Sequence, residues 1–235
     1  MSRYCIPGPR QLIAFVHIEK AAGTTLIYLL RSNFILRYCD VKPLTKESNR
    51  VFTARDMKTV SKFNPFIQCI GGHAVKPYSD LGKYFPGVRY ITLLRSPVER
   101  YLSHYRYWRE QLGYKLSFED FLEETRLHNF QTKKIAGTDD FTKAKDLLAK
   151  NFFLVGLVEA FDDFILLLQR KLHPLKFIPA YERKNVAYKD SPLRKNLDGQ
   201  KIDAFQSKII ERNRNDIALY EYVQSSLLPA EKKAY

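Results

Sequence analysis

The sequence predicts an α/β protein built on a central, mainly parallel sheet flanked by helices. Three observations predict it. Apolar runs of strand length alternate with amphipathic segments of helix length along most of the chain. One run, Val88–Leu94, is nearly continuous in apolar character, the pattern of a strand buried on both faces of a parallel sheet. The segment His17–Leu26, His-Ile-Glu-Lys-Ala-Ala-Gly-Thr-Thr-Leu, sets a basic, glycine-containing turn between an apolar run and a helical pattern.

The elements follow in order. Leu12–Ile18 reads as the first strand. A helix over Thr25–Tyr38 comes next, with Leu26, Leu29 and Leu30 spaced to share one apolar face. Phe66–Ile70 reads as a short buried strand that runs into Gly71-Gly72-His73. After Val88–Leu94, Ser96, Pro97 and Glu99 occupy the N-cap, first and third positions of a capping box, so a helix is predicted over Pro97–Leu112. Ser117–Thr125 resembles a further capped helix, with Asp120 in the place of the usual glutamate. Asp139–Lys150 reads as a helix, Phe152–Gly156 as a strand, and Glu159–Leu172 as a helix closed by His173-Pro174. A polar, lysine-rich stretch from Arg183 to Lys201 precedes a terminal helix with Ile210, Ile217 and Tyr220 on one face. No internal repeat or low-complexity linker interrupts this order, so one domain over 1–235 is expected, with its core at about 12–223.

Bulk properties bound the function. A chain of 235 residues with 45% hydrophobic content can bury a full core. Its 39 basic and 25 acidic residues leave a net charge of +14, a surface that attracts polyanions such as acidic glycans, nucleic acid or anionic lipid. No run approaches the roughly 18–20 apolar residues of a membrane helix, and the amino terminus lacks a secretory pattern. Met1–Arg10, with Pro7, Gly8 and Pro9, leads straight into the first strand. Cys5, Cys39 and Cys69 are odd in number and lack metal-ligand spacing, which predicts free thiols, a reducing compartment and no metal. Cys69, inside an apolar run, reads as a small buried hydrophobe.

The turn after the first strand is an anion-binding site in sequence form. A helix N-terminus presents unpaired N–H groups and partial positive charge, Gly23 permits close approach of the backbone, Thr24 and Thr25 add hydroxyls, and Lys20 adds a mobile cation. The lysine precedes the glycine by three positions and no first glycine exists, which departs from the Gly-x-x-x-x-Gly-Lys-Ser/Thr loop and argues against an ordinary ATPase or kinase. Arg95 stands at the carboxyl end of the Val88–Leu94 strand, where open α/β sheets bind ligands, with Ser103 further along the next helix.

His-x-x-Lys-x-x-Gly-Thr-Thr resembles the 5′-phosphosulfate loop of the sulfotransferases, especially the heparan sulfate 2-O/6-O type and its bacterial relatives. Arg95-Ser-Pro-Val-Glu-Arg-Tyr-Leu-Ser103 resembles the 3′-phosphate motif of the same family, with Ser96 in place of an aspartate. Gly72-His73, Asn129-Phe-Gln-Thr132 with Ala136-Gly137, Val155–Glu159 with Phe161-Asp162, and Asn215-Asp216 before Leu219-Tyr220 are similar to further patterns of bacterial members, so the resemblance spans about Leu12 to Val223. It implies a P-loop-like three-layer fold and transfer of a sulfuryl group from 3′-phosphoadenosine 5′-phosphosulfate to a hydroxyl, without a metal. Lys20, Ala22, Gly23, Thr24 and Thr25 would hold the 5′ end of the donor, and Arg95 and Ser103 its 3′ phosphate. Arg183 and Lys184 precede Asn185-Val186 in a loop that would close over the donor. Animal members carry an amino-terminal Golgi anchor, so the chain resembles a soluble, cytoplasmic bacterial-type relative, or a trimmed catalytic domain of the Golgi lumen.

Sulfuryl transfer also needs a base, and histidine suits neutral pH. His73 follows a glycine pair at the carboxyl end of a strand and matches the family's Gly-His context, so it is expected to be the base, with Lys20 as the second catalytic residue. His17, His104, His128 and His173 are expected to be structural. Lys76, Asn129, Gln131, Lys133 and Lys134 fall in segments that the resemblance puts near the acceptor. Tyr101, Tyr105, Tyr107 and Trp108 form an aromatic helix face that offers sugar-stacking surfaces or core packing. Glu19 would repel a phosphosulfate and is expected to point away from it. An anionic polysaccharide is the expected acceptor, with no nucleic-acid partner. A small alcohol, phenol or peptide tyrosine, and a non-catalytic polyanion-binding role, stay open as alternatives.

Overall fold

A computed structural model describes residues 11–45, 51–182 and 200–233, the last stretch with side chains from 205 onward. These residues include five strands: β1 (Leu12–Val16), β2 (Tyr38–Asp40), β3 (Cys69–Gly72), β4 (Val88–Leu94) and β5 (Phe152–Leu157). They form one sheet in the order β2-β3-β1-β4-β5, and every neighbouring pair is parallel. β1 is central and all five of its residues are buried, because it has a helical layer on each side. Ile13 and Phe15 pack on one face with Leu26, Leu29 and Leu30 of α1 (Gly23–Phe34). Leu12, Ala14 and Val16 pack on the other with Met57 of α2 (Ala54–Phe63) and Leu81 of α3 (Leu81–Tyr84). The period-2 alternation of β1 thus feeds two separate cores, as a doubly covered parallel strand must.

The remaining helices are α4 (Pro97–Glu110), α5 (Phe118–Leu122), α6 (Phe130–Ala136), α7 (Phe141–Asn151), α8 (Phe161–Leu172), α9 (Gln200–Arg212), α10 (Arg214–Tyr222) and α11 (Leu228–Lys233). α8 completes the α1 face of the sheet through Phe164, Ile165 and Leu168. α6, α7 and α10 pack around Ile18, Leu94 and Leu157 at the carboxyl end of the sheet. α4 and α5 build an aromatic cluster in which Tyr101 and Tyr105 are buried against Phe118 and Phe121. For these two tyrosines, core packing rather than sugar stacking is what the structure shows.

Several boundaries differ from the sequence reading, each for a local reason. α1 starts two residues earlier, at Gly23, and ends at Phe34, where Ile35 takes a positive φ of 48° and a short 3-10 turn leads into the unforeseen edge strand β2. β3 is shifted toward the glycines: Phe66 is exposed, whereas Gly71 and Gly72 pair with β1. The side chain of Ser96 does not cap α4, and Glu99 instead pairs with Arg95 at 3.3 Å. Ser117 does cap α5, accepting from the Asp120 N–H at 3.0 Å. The terminal helix divides at Asn213, so the helical phase resets; Ile209, Leu219 and Val223 are its buried apolar residues, and Ile210 is exposed.

α6 is held by a carboxylate that is far away in sequence. Asp216 accepts from the backbone N–H of Gln131 at 3.1 Å and from the N–H and hydroxyl of Thr132, both at 2.8 Å. Burial pushes the Asp216 carboxyl up, although Arg100 and these donors oppose the shift. Asn129 accepts from the N–H groups of Asn215 and Asp216, so the starts of α6 and α10 cap one another. Asp216→Ala would strand three buried donors and should cost about 3 kcal/mol of unfolding free energy. In chemical denaturation, a loss no larger than that of the exposed Glu211→Ala would refute this anchoring.

Candidate active site

In the strand order, β1 lies between β3 and β4, so the chain leaves the sheet in different directions on the two sides of β1. Ligand crevices of open α/β sheets form at such a point, outside the carboxyl ends of the strands. Lys20 and Gly23 follow β1, His73 follows β3, and Arg95 follows β4.

The turn after β1 is shaped around one imidazole. Lys20 and Ala22 both adopt left-handed backbone conformations, with φ of 67° and 53°, which side-chain-bearing residues hold only when their surroundings impose it. The His17 ring fills the space under the turn: a Cβ on residue 23 would lie 1.9 Å from His17 Nε2. Gly23 is therefore required by packing. His17 stacks between Phe15 and His73, with ring centroids 5.5 and 4.0 Å away. Burial, then the neighbouring His73, lowers its pKa to about 3, so it stays neutral.

Beside this turn lies a group of cations. Arg95 donates from Nη1 to the Lys20 carbonyl oxygen at 3.2 Å and so ties the β1 and β4 loops together. The backbone of Arg95 is gripped on both sides by the Gln131 amide, which accepts from its N–H at 3.0 Å and donates to its carbonyl at 2.9 Å. Lys20 Nζ rests over the Tyr107 ring, 4.3 Å from its centroid. Burial, followed by repulsion from Arg95 and Arg106, pulls the Lys20 ammonium below its usual range. Arg106 was not singled out from the sequence. Its signal was its place three residues after Ser103, on the side of α4 that carries Tyr107. Ser103 is half-buried on the same helix. Glu159 takes the part expected of Glu99 in the capping box, since the Ser96 N–H donates to it at 2.9 Å, and Glu159 also accepts from Tyr220.

On the other side of the turn, a cavity of about 780 Å³ is lined by His73, Glu19, Lys76, Lys134, Lys42 and Asp40 among others. Glu19 points into this side: its Oε1 lies 2.7 Å from Lys134 Nζ and 3.4 Å from His73 Nδ1. Lys76 is buried beside Lys134. Burial, then the Lys134 charge, lowers its pKa to about 7. His73 is half-exposed at the cavity wall.

Lys76, Lys134 and His73, expected around an acceptor and a base, are thus brought together. Asn129 and Gln131 are not: both are buried, with the side-chain amide of Asn129 taken up by Asp139 and the start of α10 and that of Gln131 by Arg95, so they brace the site from behind. Lys133 turns away to the Thr125 carbonyl at 3.0 Å. Arg183 and Lys184 lie outside the described residues. His104 is buried against Arg100, which approaches its Nδ1 at 3.2 Å, and His128 meets the Leu122 carbonyl at 2.8 Å; both are structural, as expected. Among the described residues there is no cluster suited to a metal, and no helix is long and apolar enough to cross a membrane.

Fold and site together define an α/β protein with a cation-lined crevice at the switch point of a parallel sheet. The chain is 34% identical over 127 residues to heparan-sulfate 6-O-sulfotransferase 1 of Homo sapiens, covering 45% of this chain and 29% of that protein. It is 25% identical over 217 residues to heparan sulfate 2-O-sulfotransferase 1 of Mus musculus, covering 72% of this chain and 60% of that protein. The chain thus spans less than a third of the length of its 6-O-sulfotransferase relatives. Among solved structures, a sulfotransferase from Alicyclobacillus acidocaldarius aligns over 91% of this chain and 97% of its own, at 15% identity and a TM-score of 0.46. No known family profile matches the chain. The sequence similarities support a sulfotransferase family for this protein.

Two outcomes are expected. Gly23→Ala should destabilise the protein by about 1–3 kcal/mol in denaturant melts. In a His17→Ala background the same substitution should cost less, leaving only the backbone term; equal costs in both backgrounds would refute the packing account. The pKa values of His17 and His104 are both lowered, mainly by burial, from 6.5 to about 3. The unfolded chain therefore takes up protons that the folded one refuses, and stability should fall as pH drops below about 6.5. His104→Gln should flatten that fall in melts recorded from about pH 7 to about pH 4.5; an unchanged slope would show that His104 does not contribute.

Proposed function

We propose that the protein is a sulfotransferase that moves the sulfuryl group of 3′-phosphoadenosine 5′-phosphosulfate to a hydroxyl of an anionic glycan. The observation that carries this reading is the convergence, at one switch point, of Lys20 and Arg95 on one side of a tight glycine turn and His73 on the other, facing a basic-lined cavity. The relatives named above support the sulfotransferase part of it. The donor carries the reactive sulfur and leaves as adenosine 3′,5′-bisphosphate. The protein's residues supply charge, orientation and a base.

The residues fit such a donor. The first turn of α1 begins at Gly23 without an acidic residue, and Lys20, Arg95 and Arg106 place three cations nearby, which suits a ligand with phosphate at both ends. Thr24 and Thr25 in the same turn and Ser103 on α4 add hydroxyls, and Ala22 shapes the approach through its left-handed backbone. Lys20 is the group to accompany negative charge onto the leaving phosphate. His73 takes the hydroxyl proton of the acceptor. Lys76 and Lys134 suit a carboxylate or sulfate on that acceptor, and the net charge of +14 favours a polyanion as substrate.

The direct test is incubation with labelled donor and a panel of acidic polysaccharides, glycolipids and phenols. Transfer to polysaccharide is expected, and transfer confined to phenols would overturn the glycan assignment. Lys20→Ala should lower turnover by about 10²-fold or more with the fold intact. Arg95→Ala should weaken adenosine 3′,5′-bisphosphate binding by about 1.5–3 kcal/mol in calorimetry. His73→Ala should leave that affinity nearly intact but cut turnover by about 10²–10⁴-fold. Near-normal turnover of folded Lys20→Ala would sink the sulfuryl-transfer reading.

A further inference from the structure

A histidine in water exchanges its proton between two nitrogens. At His73 the surroundings remove that freedom. Nδ1 lies 3.2 Å from the His17 carbonyl oxygen and 3.4 Å from Glu19 Oε1. Both neighbours are acceptors only, so a lone pair on Nδ1 would face two negative atoms, whereas a proton there satisfies both. The lone pair is then left on Nε2.

Glu19 is itself fixed. Lys134 donates to the same Oε1 at 2.7 Å, and Oε2 is buried without a hydrogen-bond partner among the described residues. Burial alone would raise the carboxyl, but Lys134 and His73 prevail and hold it below its usual range, so it is charged. Such a carboxylate opposes the Lys134 charge at His73. The other titratable groups lining this cavity are the neutral His17, stacked on His73 just after β1, Lys76 and Tyr78 beyond β3, Lys42 after β2, and Asp40 at the end of β2, which is paired with Arg31.

We propose that Glu19 is a positioning residue for the His73 base: with the His17 carbonyl it keeps the proton on Nδ1, leaves Nε2 as the proton acceptor, and stabilises the imidazolium formed in the reaction. The hydroxyl O–H bond breaks as N–H forms at Nε2. The electron pair left on that oxygen forms the new O–S bond, and the old S–O bond breaks with its pair leaving on the phosphate. The proposal rests on the sulfuryl-transfer reading, but its first test does not.

That test is long-range ¹⁵N–¹H correlation of histidine-labelled protein, with His73→Asn to assign the ring. A protonated Nδ1 and an unprotonated Nε2 are expected, and a majority of the Nε2–H form overturns the proposal. The second test is the pH profile of kcat/KM. Glu19→Gln keeps the volume and loses the charge; turnover should fall about 10- to 100-fold and the acid limb should move down by about one pH unit, with bisphosphate affinity unchanged. Lys134→Met removes the opposing charge and should move the limb upward. If both variants lose activity with the limb unmoved, Glu19 has a structural role only and the proposal is overturned. If His73→Ala keeps its turnover, the base assignment fails and takes the Glu19 role with it. A fully active Glu19→Gln beside an inactive His73→Ala overturns the Glu19 role alone.

Discussion

The arrangement of the Arg95 and Lys20 loops depends on one buried carboxylate. Asp216 on α10 orders the first turn of α6 through three hydrogen bonds, and that turn carries Gln131. Gln131 grips the Arg95 backbone from both sides, and the Arg95 side chain reaches the Lys20 carbonyl. A single line of directional contacts thus runs from the carboxyl-terminal helices through the interior to the turn after β1. Asp216 and Arg100 are both buried, and burial pushes the carboxyl of one up and the guanidinium of the other down. Charges in such a place are costly, and what they secure is a defined geometry rather than net stability.

The turn after β1 separates two electrostatic environments. On the α4 side, Lys20, Arg95 and Arg106 lie close together, and burial, then repulsion from the two arginines, lowers the Lys20 pKa, so its ammonium is held where charge is disfavoured. On the β3 side, cations and carboxylates are mixed around His73. The neutral His17 ring sits under both and contributes shape without charge. Glycine at 23 lets the two sides approach closely, because its missing Cβ is where that ring lies.

Much of this was legible in the sequence. The expectation of a helix-flanked parallel sheet holds, because long apolar runs and i, i+3, i+4 leucines report burial directly. The turns after β1, β3 and β4 were legible, though β1 stops at Val16 rather than Ile18 and β3 runs on to Gly72, because strand-to-helix turns carry their chemistry in adjacent residues: Lys20 with Gly23, Gly72 with His73, Arg95 with Pro97. What escaped was non-local. β2 has three residues and owes its existence to pairing with β3. Asn129 and Gln131 have side chains that suit a ligand equally well, and only the fold reveals that α10 and Arg95 claim them. Arg106 carries no local motif and becomes notable only once α4 is packed beside the Lys20 turn. Glu99 looked like the reciprocal half of a capping box, but Glu159, distant in sequence, accepts the Ser96 N–H instead.

The dependence on Asp216 has a consequence for the order of events during synthesis. A ribosome delivers Lys20, His73 and Arg95 early, and the five strands are complete by Leu157. The carboxylate that orders α6, and through it the Arg95 loop, emerges only well after the last strand. All the strands of the described sheet are therefore synthesised before the residue that orders the Arg95 loop. The last helices act as the key that locks a crevice whose walls were built long before.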